Sequence, residues 1–282
     1  LHSPRPLTGR LDYTISAGHR DATQVAYHGL GIDSRESETR YRMRQGYAGA
    51  DAWFRLIPWV IVRGGLRYED FTVSDGQGEA PDVDDIFTPD TAPGLGDNPS
   101  FLHTTWSVAV DTRPSPEYAR RGRLVEVALH RYDDQANVYG FQRIDTEVIQ
   151  HIPIVRENWV VSLRGRLQST LGDSDVVPFF LLPSLGSGST LRAYTSWRFR
   201  DRHAALFSAE WRWLPNRMAM DAAIFFDTGT VADRFAALTT HRMRSDVGFG
   251  VRFHSPVATP LRIDLAYGRE GLKLNFAASA AF

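Results

Sequence analysis

Two-residue alternation runs through most of this chain, and its polarity is the reverse of what water demands. In residues 159–168, Trp159, Val161, Leu163 and Leu167 fall on one face, opposite Ser162, Arg164, Arg166 and Gln168. Successive side chains of a strand point to opposite sides of its sheet. The apolar face carries Trp106, Trp159, Trp211 and Trp213, while the other face carries Arg, Glu, Asp and Gly. A soluble sandwich hides its apolar face and turns the polar one to solvent. An apolar exterior around a polar interior suits lipid, where a closed sheet pairs every backbone group.

Twelve such strands are expected, at about residues 10–29, 38–57, 60–69, 104–111, 123–131, 138–152, 159–168, 204–214, 217–228, 246–254, 261–268 and 272–282. The first could be one long strand or two short ones broken at Asp21-Ala22. Turns near 58, 153, 215 and 257 are short and contain proline, whereas the loops near 73, 170 and 229 are long. That segregation matches a transmembrane barrel with tight periplasmic turns and long external loops. The expected fold is therefore all-β: one antiparallel up-and-down barrel of about 12 strands over residues 1–282, with 1–9 as a periplasmic lead-in and 170–203 as a lumenal loop.

Composition narrows the function. Acidic and basic residues number 33 and 32, so no net field points to nucleic acid. Cysteine is absent, which removes disulfides, thiolate metal sites and cysteine nucleophiles. Seven Trp, ten Tyr and sixteen Phe fit an all-β core or the aromatic girdles of a barrel. No apolar run approaches the ~20 residues of a membrane helix. Leu1-His2-Ser3-Pro4-Arg5-Pro6 lacks the pattern of a signal peptide and an initiator Met, as expected of a processed or trimmed chain.

Alternation also orients the acids. If Trp211 and Trp213 face lipid, Ser208, Glu210 and Arg212 point inward. If Met218, Met220, Ala222, Ile224 and Phe226 face lipid, Asp221, Ala223, Phe225 and Asp227 point inward. Glu210 and Asp227 would repel on adjacent strands unless a cation lay between them, and Arg192 lies on the preceding loop. A guanidinium, with five donors in a fixed fork, suits that bridge. The alternative leaves Arg192 exposed at a loop tip and each acid paired with lumenal arginines. Arg143, Asp145, Glu147 and Arg164 read as a lumenal charge ladder.

Several motifs recur in order. They are Leu191-Arg192-Ala193-Tyr194 after Gly186-Ser187-Gly188-Ser189, Glu210-x-Arg212, Phe225-x-Asp227-x-Gly229, Gly248-x-Gly250-x-Arg252-Phe253, Leu261–Gly268, and the final Phe282. Asp111-Thr112-Arg113 with Gly122 adds a mid-barrel pattern. Together they resemble the bacterial surface-antigen superfamily of BamA-like assembly and translocation barrels, over roughly residues 104–282; the first hundred residues match only in style. The resemblance implies a loop arginine held by acids on the following strands, with Arg192, Tyr194, Glu210, Asp227 and Arg212 as the latch. It also implies Phe276 and Phe282 as the C-terminal barrel signal. The family's barrel has sixteen strands against the twelve expected here; the other four would be N-terminal ones, as in either a short family member or a fragment, and no periplasmic transport-associated domain is expected to fit in the ten or so residues before the first strand. Ala193 replaces the family's glycine, which would strain a backbone needing positive φ.

By resemblance, the implied function is insertion of polypeptides into the outer membrane of a Gram-negative bacterium, or translocation across it. A seam between first and last strands would serve that, and the small residues of 277–281 suit a loose one. Outer-membrane lipid, polypeptide substrates and other envelope proteins are the implied partners. The other readings are a barrel that anchors or gates an envelope complex and a passive pore. No cofactor, metal site or catalytic residue is expected. Gly186-Ser187-Gly188-Ser189-Thr190 is not a nucleophile elbow. His130 and His254 read as lumenal or rim residues, without metal-ligand spacing. A lipid-face phospholipase would need an outward histidine beside a serine, and the sequence suggests none.

Overall fold

The computed structural model describes residues 2–3, 9–155, 158–172, 177–215, 219–255 and 259–282. Alternating segments form β1 (His2–Ser3), β2 (Leu11–Tyr27), β3 (Thr39–Ile57), β4 (Val60–Asp75), β5 (Ser100–Asp111), β6 (Gly122–Asp134), β7 (Phe141–Val155) and β8 (Trp159–Leu171). After the inserted loop with the small hairpin β9 (Ser184–Leu185) and β10 (Phe199–Arg200) come β11 (His203–Trp213), β12 (Met220–Ala232), β13 (Arg244–Phe253), β14 (Leu261–Gly268) and β15 (Gly271–Ala277). The twelve long strands β2–β8 and β11–β15 are those expected from alternation. Most of the 1–9 lead-in lies outside the described residues; His2 and Ser3 pair with Thr14 and Tyr13.

Each strand pairs antiparallel with its neighbour in one continuous ladder from β1 to β15, and β8 pairs directly with β11 across the inserted loop. Contacts at both rims carry the sheet round into a barrel. At one rim, Asp33 after β2 pairs with Arg242 and with Arg244 of β13, at 2.9 and 2.8 Å. At the other, Tyr118 between β5 and β6 donates to Asp221 of β12 (3.1 Å) and stacks on His254.

Outward residues follow the alternation: Trp106, Trp211, Ile224 and Phe276 are exposed, while Asp227, Asp264 and Glu210 are buried. A span needs only about 9–11 residues per strand, yet β2, β3 and β4 have 17, 19 and 16. Their outer ends rise beyond the membrane. The register of β2 shifts between Ala22 and Val25, a bulge with one extra residue. Because alternation has period two, that residue turns the odd positions, lipid-facing at Tyr13 and Ile15, inward at Val25 and Tyr27. Val25 and Tyr27 then join Tyr41, Met43, Phe71, Phe101, Phe179 and Phe180 in a dome of buried apolar residues over the outer mouth. Of the two expectations for this segment, one long strand is the outcome, with a bulge just after Asp21-Ala22.

Two boundaries differ from the expectation. The loop expected from 73 to 102 shortens because β4 runs to Asp75 and β5 starts at Ser100, and it contains the one-turn helix α1 (Val83–Ile86). Phe179 N–H donates to the Pro93 carbonyl, which seats this loop on the inserted one. The last strand ends at Ala277, so Ala278, Ala280 and Phe282 do not share its lipid face. Phe282 packs instead, as Ile61 does, against the cluster of Ala109, Leu124 and Ile149 on the inward wall, and it stacks on His151. A run of small side chains loses little lipid contact by leaving the sheet, and the phenyl ring finds an apolar patch inside.

Candidate functional site

The inserted loop turns into the lumen. Its backbone closes on itself through Trp197 N–H to the Gly186 carbonyl and Tyr194 N–H to that of Leu191. Gly186, at φ 105°, permits the sharp entry, and a side chain there would meet the Thr195 carbonyl. Arg192 at the inner face is 2% exposed, although a guanidinium is costly to take from water.

Three carboxylates meet that charge. Arg192 Nε and Nη2 donate to the two oxygens of Asp227 at 2.6 and 3.1 Å. Its Nη1 donates to Glu210 at 2.7 Å and to Asp264 at 3.4 Å. The guanidinium carbon lies 3.5 Å from the centroid of the Phe225 ring, a face-on cation–π contact. Phe225 can lie there because Gly248 faces it: a methyl group on Gly248 would come within 2.2 Å of the ring. Arg252 donates to the same Glu210 oxygen at 2.6 Å, and Arg262 Nε to Asp264 at 3.0 Å. Three buried arginines and three buried carboxylates thus neutralise one another in short charge-assisted bonds.

The loop backbone is tied as well. Ala193 N–H donates to Asp246 (3.1 Å), Asn275 of β15 donates to the Arg192 carbonyl (2.8 Å), and Lys273 of β15 to that of Tyr194 (2.9 Å). Arg262 donates to the Gly188 carbonyl from β14. Every strand from β11 to β15 therefore touches the loop or its anchors.

Among the residues singled out from sequence, Arg192, Glu210 and Asp227 come together. Tyr194 lies beside them with its hydroxyl on the Ser245 carbonyl (3.3 Å) and its ring on Phe199. Arg212 does not reach Arg192. It pairs with Asp221 at 3.6 Å and donates to the Ala119 carbonyl, bracing the inner turn. Phe276 faces lipid; Phe282 faces the lumen. The strain expected at Ala193 is absent, since the non-glycine residues with positive φ are Asn137 and Trp197 among those described. Its methyl group sits over Gly268, where an added Cβ would lie 2.9 Å away.

Sequence reasoning missed Asp264, Asp246, Lys273 and Asn275 as loop contacts, and Arg252 as the second cation on Glu210. Alternation along β13–β15 places all five inward, but nothing in the spacing says how far the loop reaches. It also missed an outward Ser–His contact. Ser169 Oγ and His203 Nδ1 lie 2.7 Å apart on the lipid side of the outer rim, as cross-strand partners. His203 is covered by Phe235, and no carboxylate lies within ion-pair reach of it among the described residues.

The Omp85 superfamily domain model matches residues 4–282. This chain belongs to the Omp85 superfamily. Its Omp85 barrel is similar to BamA from Haemophilus ducreyi lacking POTRA domains 1-3, with 13% identity and a TM-score of 0.70 over 99% of this chain and 60% of that one. At that identity the likeness shows the fold, and the chain spans about 60% of the length of its BamA counterpart. An outer membrane channel from Pseudomonas putida F1 aligns at 10% identity over 97% of this chain and 94% of that one, with a TM-score of 0.41. No curated protein sequence matches. The molecule is an outer-membrane β-barrel of the BamA-like type.

Proposed function

We propose that this barrel inserts polypeptides into the outer membrane or passes them across it, by opening and closing rather than by bond-making chemistry. The observation that carries the reading is the latch. Arg192 joins the lumenal loop to β11, β12 and β14, while Lys273 and Asn275 tie the same loop to β15 at the end of the ladder. A loop so held occupies the lumen and couples its own position to the last strand. Arg192, Glu210 and Asp227 act as the latch, Tyr194 as its packing partner, and Phe276 as the lipid-facing part of the C-terminal signal.

The substrates are unfolded polypeptides, and other envelope proteins deliver them. The test reconstitutes the barrel in vesicles of outer-membrane lipid and follows folding of an added, unfolded barrel protein by its resistance to protease. Faster folding than in empty vesicles is expected, with Arg192→Ala altering the rate. Folding no faster than in empty vesicles would overturn the reading. An enzymatic role would show instead as lipid hydrolysis lost in Ser169→Ala.

A further inference from the structure

Phe179 and Phe180 of the lumenal loop pack into the dome, and its 184–197 stretch is bound closely to β11–β15 but loosely to β7 and β8. Toward β8, Arg164 donates to the Ser189 carbonyl at 2.8 Å. Beyond that bond, a cavity of about 320 Å³ separates the loop from β7 and β8. The wall side is lined by Arg143, Arg166 and Gln168, and the loop side by hydroxyls that include Ser184, Ser187 and Ser196.

The charges of this wall do not cancel. Inward positions bring Arg143, Arg164 and Arg166 together with Asp145 and Glu147, three cations against two anions. Asp145 accepts from Arg143 (2.9 Å) and Gln168 (2.9 Å). Glu147 stands directly across from Arg166 in the ladder but accepts from Arg164 Nε at 2.6 Å. Arg166 is left half-buried, facing the cavity, with no hydrogen bond or ion pair to any described residue. A half-buried guanidinium without a protein acceptor keeps its donors free, and its fork matches an oxyanion presenting two oxygens. On the loop side, Trp197 is held at φ 60°, in the left-handed region that a bulky side chain rarely occupies. Strain of this kind persists where surrounding structure fixes it and concentrates at binding sites.

We propose that this cavity binds a phosphate-type oxyanion, which bridges Arg166 to the loop hydroxyls and fastens the loop to the β7–β8 wall. A tetrahedral oxyanion offers enough acceptors for the guanidinium on one side and the serine hydroxyls on the other. The phosphate comes either from solution or from a phosphate-bearing headgroup. Such binding concerns occupancy of the lumen, and it holds whether or not the barrel inserts polypeptides.

The test titrates inorganic phosphate, and in a second arm a water-soluble short-chain phosphatidylglycerol, into the purified full chain in uncharged detergent, followed by calorimetry. Saturable binding is expected, weakened at least tenfold in Arg166→Gln and unchanged in Arg131→Gln, a substitution at the exposed outer rim. Tighter binding of inorganic phosphate identifies the source as solution, and tighter binding of the lipid identifies a headgroup. Hydrogen exchange of the wild-type chain gives a measurement independent of the variant's folding: phosphate, and not chloride at equal ionic strength, slows exchange at residues 184–190. No saturable binding of either probe, equal binding by Arg166→Gln, or equal exchange in phosphate and chloride would each overturn the proposal.

Discussion

Arg192 sits among Asp227, Glu210 and Asp264 with both edges of its fork occupied. Removing it leaves three buried carboxylates to share Arg252 and Arg262. Losing one partner of a buried network costs about 3–5 kcal/mol, and here that penalty falls on the docked state of the loop. Arg192→Ala should therefore expose 177–202 to protease while the strands stay folded; equal cleavage of variant and wild type would count against the latch. Arg192→Lys should fall between the two, because an ammonium keeps the charge but loses the bidentate contact to Asp227. A second prediction concerns Ala193 and Gly268, which share one small volume. Gly268→Ala alone should destabilise by about 1–3 kcal/mol through overpacking. Adding Ala193→Gly should restore most of that loss in thermal unfolding, and strictly additive effects in the cycle would show that the two do not touch.

At the scale of elements, the outer mouth is closed by loops rather than strands. Asp201, between β10 and β11, lies in this layer. Burial pushes its carboxyl up to about 6, and the nearby charge of Asp233 adds to the shift while the Arg202 N–H opposes it. A carboxyl whose folded pKa exceeds its ordinary 3.8 favours the folded state when protonated. That contribution is complete below the ordinary value and disappears as pH rises through the folded one. Protection of the outer-loop amides, taken relative to the unfolded chain, should accordingly fall between about pH 4 and pH 6 in the wild type, with a flatter profile in Asp201→Asn. Identical profiles would remove Asp201 as the cause. Phe179 is the apolar counterpart, packed on Tyr27, Tyr41 and Phe180. Phe179→Ala should cost the dome about 3–5 kcal/mol, read as a lower melting temperature.

For the whole molecule, the occupied lumen predicts poor conduction. The loop, the inner turn around Tyr118 and the inward Phe282 all occupy it. In planar bilayers the native chain should show only small or brief openings, and Arg192→Ala should raise their size or frequency. A large steady conductance in the native chain would favour a passive pore. The inverted polarity of the strands makes the barrel legible in the residue order alone, because period-two alternation reports both the sheet and its surroundings. Four features escape that pattern: the dome, the bulge in β2, the end of β15 and the position of Phe282. Each depends on which distant surface a segment can reach, and alternation records only the side a residue faces.

Residue order by itself determined that β11 and β12 turn Glu210 and Asp227 inward, since each strand has one apolar face and lipid accepts no other. It also brought a cationic loop ahead of those acids. Tertiary structure decided which acids Arg192 meets. Asp264 lies 72 positions further on and arrives because β12, β13 and β14 stand side by side, with Gly248 letting Phe225 lie close. It decided, too, that Arg212, two residues from Glu210, turns instead to Asp221 and the inner turn. Spacing along a chain sets the face of a strand, but the curvature of the sheet sets the distance between faces.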